Sequence, residues 1–173
     1  MIFSIRIPEN MLGHLKEIAK QQHMPPNALI NQILRNSVDW EYYAIKGGMI
    51  HILRETISAL FDMITKEQSD RLVKENVEYL VEFITLLRKK FNAESALSAF
   101  EGWLKSNSFS YRKEFDDSTL TFIIKFVMGT KFVKQVKQVF TLIMEKLEVK
   151  VIESKVTRGT LFIKMISPLE EKS

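Results

Sequence analysis

The sequence predicts an α+β protein in two parts: a short strand with two helices at the N-terminus, then a larger domain of helices and sheet. Three observations predict this class. Apolar residues alternate over residues 2–7, they recur at helical spacing through most of residues 9–105, and alternation returns after residue 106. A period of two is typical of a strand and a period near 3.6 of a helix. The two strand-forming regions are therefore separated by a long helical one.

The N-terminal strand is predicted to have two distinct faces. Phe3, Ile5 and Ile7 fall on one side, and Ile2, Ser4 and Arg6 fall on the other. Pro8 has no amide hydrogen to donate, so it ends the strand and opens a helix. After a break at residues 23–27, apolar residues at helical spacing predict a second helix that runs toward Tyr43.

The sequence Lys46-Gly47-Gly48 is the predicted domain boundary, because two consecutive glycines weaken a helix and permit a bend. The predicted domains are residues 1–46 and residues 47–173. Within the second, helices are expected over residues 49–105, with Thr65 and Gln68 forming a capping box. Alternating residues and turn signals then predict a hairpin, a helix and a second hairpin over residues 108–167, which form a small antiparallel sheet.

Composition excludes several classes of protein. The 173 residues include no cysteine, which rules out disulfides and thiolate chemistry, and the formal net charge is +4. No apolar run is long enough for a signal peptide or a membrane span. A cytoplasmic protein that does not enter the membrane is therefore expected. The charge permits nucleic-acid binding without requiring it.

A strand and two helices in about forty residues are too few to bury a core, so a homodimer is expected. Residues 2–38 resemble the ribbon-helix-helix family, which contains the Arc and MetJ repressors. The residues that carry this resemblance are Phe3-Ser4-Ile5-Arg6-Ile7-Pro8-Glu9, Leu12, Leu15, Ile18-Ala19, Asn27-Ala28-Leu29-Ile30 and Leu34. The resemblance implies an N-terminal ribbon-helix-helix dimer in which two strands pair across a two-fold axis and enter the major groove.

The resemblance also implies the residues that contact DNA. Ile2, Ser4 and Arg6 would read the bases, since arginine can grip a guanine edge and serine can serve several bases. The start of the second helix, at Pro26, Asn27 and Ala28, would anchor a phosphate through backbone N–H groups and the helix dipole. The expected function is a homodimeric, sequence-specific transcription regulator bound to palindromic double-stranded DNA, with repression and activation both left open.

The region after Gly47 resembles the C-terminal region of an archaeal group of such regulators. It is expected to sense a small ligand, bind a protein partner or extend the assembly to a higher even oligomer. The alternative is an antitoxin-like or other protein-interaction module, in which the N-terminal region only dimerises and the C-terminal domain binds a partner.

No enzyme, cofactor or metal site is predicted. His14, His23 and His51 lie at no metal-ligand spacing, and the adjacent carboxylates Asp116 and Asp117 are expected to be solvated in a turn.

Two further features have two interpretations each, and the structural one is preferred. Lys131, Lys134 and Lys137 form either a phosphate-binding stripe or a solvated helix face. Trp40, Tyr42 and Tyr43 either line a pocket or pack the two domains together.

Overall fold

A computed structural model of the chain describes residues 4–168. The chain divides into two compact units, the first ending at Tyr42 and the second beginning at Tyr43. The protein is α+β, with helices followed by a four-stranded antiparallel sheet at the C-terminal end. The predicted class and the predicted C-terminal sheet are therefore confirmed.

The predicted N-terminal ribbon is wrong, because the N-terminal unit is helical. Residues 4–8 form no strand, and the first regular element is α1 (Glu9–Gln21), followed by α2 (Pro26–Asn36) and a π-helical turn (Ser37–Glu41). A strand is stable only when its N–H and C=O groups pair with a neighbour. A single copy offers residues 4–8 no such neighbour, and Pro8 has no N–H to contribute. The alternation of apolar residues was real but could not create the missing partner strand.

The helices of the second unit begin with α3 (Tyr42–Lys46), which spans the boundary between the units. It is followed by α4 (Arg54–Met63), α5 (Lys66–Arg88) and α6 (Ala93–Ser106). The helix predicted from Met49 begins five residues later, at Arg54. Gly48 adopts a positive φ of 79°, and the chain from there to Leu53 is not helical. This backbone conformation is one that glycine adopts without strain, and it separates α3 from α4.

Side-chain caps fix where α5 and α6 start. Thr65 and Gln68 form the predicted capping box: the Thr65 N–H donates to Gln68 Oε1 at 2.7 Å, and the Gln68 N–H donates to Thr65 Oγ1 at 3.3 Å. Asn92 caps α6, because its Oδ1 accepts from the Ser95 N–H at 2.9 Å. These bonds satisfy backbone donors that the first turn of a helix would otherwise leave unpaired.

The sheet contains two hairpins joined by one helix. Its elements in chain order are β1 (Ser110–Asp116), β2 (Thr119–Lys125), α7 (Thr130–Lys146), β3 (Val151–Thr157) and β4 (Thr160–Ile166). The strand order is β1-β2-β4-β3, with every neighbouring pair antiparallel. Arg158 and Gly159 both have positive φ in the two-residue loop between β3 and β4, which matches the right-handed twist of paired strands.

One face of the sheet forms the core. Its fully buried side chains come from the two central strands: Leu120, Phe122, Ile124, Leu161, Ile163 and Met165. The rings of Phe100 in α6 and Phe140 in α7 lie 4.7 Å apart, and Phe100 also meets Phe122 edge to face. Two helices therefore cover this face, and the alternate residues of each strand point the other way.

Candidate nucleic-acid interface

The chain before α1 carries two of the residues predicted to read bases. Ser4 and Arg6 are both exposed, in a segment without regular structure. Ile2, the third predicted base-reading residue, lies outside the described residues. Arg6 stands two residues before Pro8, where the chain enters the helix. Its side chain is thus presented to solvent close to the start of α1.

The predicted phosphate anchor lies in the first turn of α2. Pro25 is the N-cap residue, with no side-chain cap, and Pro26 follows in the first turn. Pro26 has no N–H, and the N–H of Ala28 already donates to the carbonyl of Pro25 at 3.0 Å. Among Pro26, Asn27 and Ala28, Asn27 is therefore the residue whose N–H has no acceptor within residues 4–168 and can bind an external one. Such an anchor offers one hydrogen bond, together with the helix dipole.

The N-terminal unit exposes many of its large apolar side chains. Among its described residues, only Ala19, Leu29 and Trp40 are buried. The exposed ones, each between 41% and 67% accessible, include Ile5, Met11, Ile18, Ile33, Leu34 and Val38. A unit of two helices that buries so little of its apolar surface lacks a core of its own. The described part of this unit therefore presents a largely apolar surface to solvent.

Two of the three lysines that could form a stripe on α7 make hydrogen bonds within the protein. The Lys131 amino group donates to the carbonyl of Asp62 at 2.8 Å and to that of Ile64 at 3.3 Å, at the end of α4. Lys137 donates to the carbonyl of Ser154 in β3 at 3.3 Å. Lys134 is exposed and, with Lys137, lines an open groove between α7 and β3 of about 300 Å³. The three amino groups thus do not form one stripe directed at a single ligand.

A half-buried ion pair, which the sequence did not predict, joins the sheet to α6. Lys113 in β1 contacts Oε1 of Glu101 at 2.5 Å, and the two side chains are 23% and 20% accessible. The Tyr111 hydroxyl donates to the other carboxylate oxygen at 3.5 Å, and burial, with the charge of Glu101, raises the pKa of Tyr111. The sequence feature that could have indicated this pair is the position of Lys113, which falls on the same side of the strand as the aromatic residues Phe109, Tyr111 and Phe115. The three side chains bond to one another at the edge of the core, as in a structural ion pair.

The remaining residues singled out from the sequence are either buried in the structure or exposed to solvent. Asp116 and Asp117 are exposed, in or beside a turn. Trp40 is buried, whereas Tyr42 is 60% accessible. Over residues 4–168 no three His, Asp or Glu side chains lie close enough together to hold a metal ion. In that same part of the chain, each helix is too short or too polar to cross a membrane.

No protein-family model matches the chain, and a comparison with curated proteins gives no match.

Proposed function

We propose that the protein is a cytoplasmic, homodimeric transcription regulator whose N-terminal unit pairs with a second copy and binds double-stranded DNA. The observation that carries the proposal is the exposed apolar surface of α1 and α2. Ile18 and Ile33 are 41% and 45% accessible, in a unit that buries few other large side chains. Burial of one such side chain is worth about 1.5–3 kcal/mol, so two copies gain stability by covering each other.

The DNA contact is assigned to Arg6, Ser4 and the first turn of α2. Arg6 is exposed and carries a planar guanidinium, which can make two parallel hydrogen bonds to guanine. A two-fold dimer presents Arg6 twice, so its preferred site is palindromic. The contact belongs to the segment before α1 and requires no strand there.

One observation favours a second candidate, in which the N-terminal unit only dimerises and the second unit binds a protein partner. Residues 1–46 contain five basic and four acidic residues, so this region is nearly neutral. Proteins that hold DNA tightly usually contact many phosphates with lysine and arginine. The second candidate therefore predicts weak attraction to any duplex and no preference for sequence.

The two candidates separate in a fluorescence-anisotropy titration of labelled duplex from upstream of the gene. Arg6→Ala should weaken binding by about 1–3 kcal/mol if Arg6 reads a base. Lys16→Ala is the matched control, because it removes one exposed positive charge from α1 of the same unit. Equal affinities for Arg6→Ala and wild type would refute the assignment of Arg6, and an equal loss in both variants would indicate non-specific charge attraction.

A further inference from the structure

The sheet face opposite the core has a regular charge pattern. Strand register places Arg112, Ile123, Phe162 and Lys155 in one row across the four strands. The next row contains Glu114, Thr121, Lys164 and Glu153. The first row is therefore basic at both ends and apolar in the middle, and the second is acidic at both ends. We call these eight residues the outer face.

The ends of the outer face are available to a partner. Arg112 and Lys155 are exposed, at 75% and 70% of their side chains, and each pairs with a glutamate of its own strand. Ion pairs this exposed contribute little to stability, so they can be rearranged easily. Ile123 and Phe162 in the middle are half-buried. The contacts found over residues 4–168 include no hydrogen bond, ion pair or ring contact from an outer-face side chain to a helix.

We propose that the outer face binds the outer face of a second copy of this chain. A two-fold axis that runs across the strands, between the two rows, lays each row over the other row of the second copy. Arg112 then faces Glu114 of the second copy, and Lys155 faces its Glu153. Phe162 faces Lys164 of the second copy, a pairing that suits a cation against an aromatic ring. Every charged end of one face meets its opposite on the other.

The charge pattern selects this arrangement over the other face-to-face one. A two-fold axis parallel to the strands would lay Arg112 over Lys155 and Glu114 over Glu153, so like charges would meet at all four corners. A nucleic acid is disfavoured as the occupant, because the two glutamates offset most of the basic charge of the outer face. Stacked sheets pack with their strands nearly aligned, as this arrangement requires.

The size of the sheet predicts a weak association. Four strands of seven residues cover about 450 Å² per copy, from the usual rise and strand spacing. The total of about 900 Å² falls just below the area of about 1,000 Å² that a stable specific interface usually buries. The association is therefore expected to depend on protein concentration. It is separate from the proposed pairing of the N-terminal units, and where the two-fold axes of the two interfaces intersect at right angles, the two together give a closed tetramer.

The experiment uses two complementary full-length variants, whose masses are measured by analytical ultracentrifugation over a range of concentrations. Glu114→Lys with Glu153→Lys makes both rows basic at their ends, and Arg112→Glu with Lys155→Glu makes both rows acidic at their ends. Each variant alone should have half the assembly mass of wild type, and an equimolar mixture should recover the wild-type mass. Circular dichroism establishes that both variants fold.

Glu78→Lys with Glu82→Lys is the matched control, since it makes the same charge change at exposed positions of α5 and should leave the mass unchanged. The proposal would be overturned if either face variant alone had the assembly mass of wild type. It would also be overturned if the equimolar mixture failed to recover that mass. An unchanged mass accompanied by oligonucleotide binding in wild type that the acidic variant loses would likewise overturn it and would assign the face to nucleic acid. If the N-terminal units do not pair, the assembly masses of wild type and of all the variants fall by the same factor. Such a failure would therefore still leave an increase in mass on mixing the two face variants, and the two proposals can be distinguished.

Discussion

The amino group of Lys131 in α7 donates to the carbonyl of Asp62 at 2.8 Å, and this bond links the start of α7 to the end of α4. The last carbonyls of a helix lack intrahelical partners and carry partial negative charge. Lys131 therefore stabilises the end of α4, and its role differs from that of its neighbour Lys134.

Lys131→Met should lower the free energy of unfolding by about 0.5–1.5 kcal/mol, the usual net worth of a hydrogen bond. Urea unfolding followed by circular dichroism measures the change. Lys134→Met is the control, because Lys134 is exposed and only lines the groove beside β3. Equal effects of the two substitutions would show that the contacts of Lys131 contribute nothing specific.

The ring of Phe122 is completely buried at the centre of the sheet, whereas Phe115 on the same side is 58% accessible. Phe122→Ala should cost about 3–5 kcal/mol, because it removes a large apolar side chain and leaves a cavity. Phe115→Ala should cost far less, since most of that ring already contacts water. Comparable urea midpoints for the two variants would contradict the packing described for this face.

Tyr111 should make the protein sensitive to alkaline pH. Burial, and then the charge of Glu101, raise the pKa of Tyr111 above its ordinary value of 10.0. A group whose pKa is raised by folding contributes stability that is complete below its unfolded pKa and is lost as pH rises through its folded pKa. Wild type should therefore lose more stability above pH 10 than Tyr111→Phe does. Urea midpoints at neutral and alkaline pH measure this, and an identical loss in both proteins would refute it.

The N-terminal pairing should depend on the exposed isoleucines of α1 and α2. Ile18→Asp with Ile33→Asp places two charges in an apolar interface, where an unpaired charge is costly. The assembly mass measured by light scattering should fall by half. Asn31→Asp with Gln32→Glu is the control, because it adds the same charge at exposed polar positions of α2. An isoleucine variant with the mass of wild type would mean that this surface does not pair.

The C-terminal half could be predicted from the sequence because its strands find their partners within the chain. Alternation over residues 109–128 and 149–166 marks strands whose neighbours are close along the chain, and the turn at Arg158-Gly159 fixes one register. Residues 4–8 have the same alternation without a partner, so the same rule failed there. The predicted start of α4 is wrong because the spacing of apolar residues carries no information on the positive φ of Gly48, after which the chain is not helical until Arg54.

The contacts that relate distant residues could not be predicted in this way. Lys131 is 69 positions from Asp62, and Lys113 is 12 from Glu101. The rows of the outer face depend on how β2 pairs with β4, which the sequence of neither hairpin specifies alone. The DNA-contacting role of Ser4 and Arg6 stays a prediction, since exposure is necessary for such a role and does not establish it.

Sequence-specific DNA binding is tested by titrating the protein against the duplex from upstream of its gene and against a scrambled duplex, each at two salt concentrations. Contacts to phosphates weaken as salt rises for both duplexes alike, whereas contacts to bases preserve a difference between them. We expect a preference for the native duplex that survives the higher salt, because Arg6 is proposed to read bases. Weak binding to both duplexes, lost together as salt increases, would refute the proposed DNA-binding role and would favour the protein-interaction candidate.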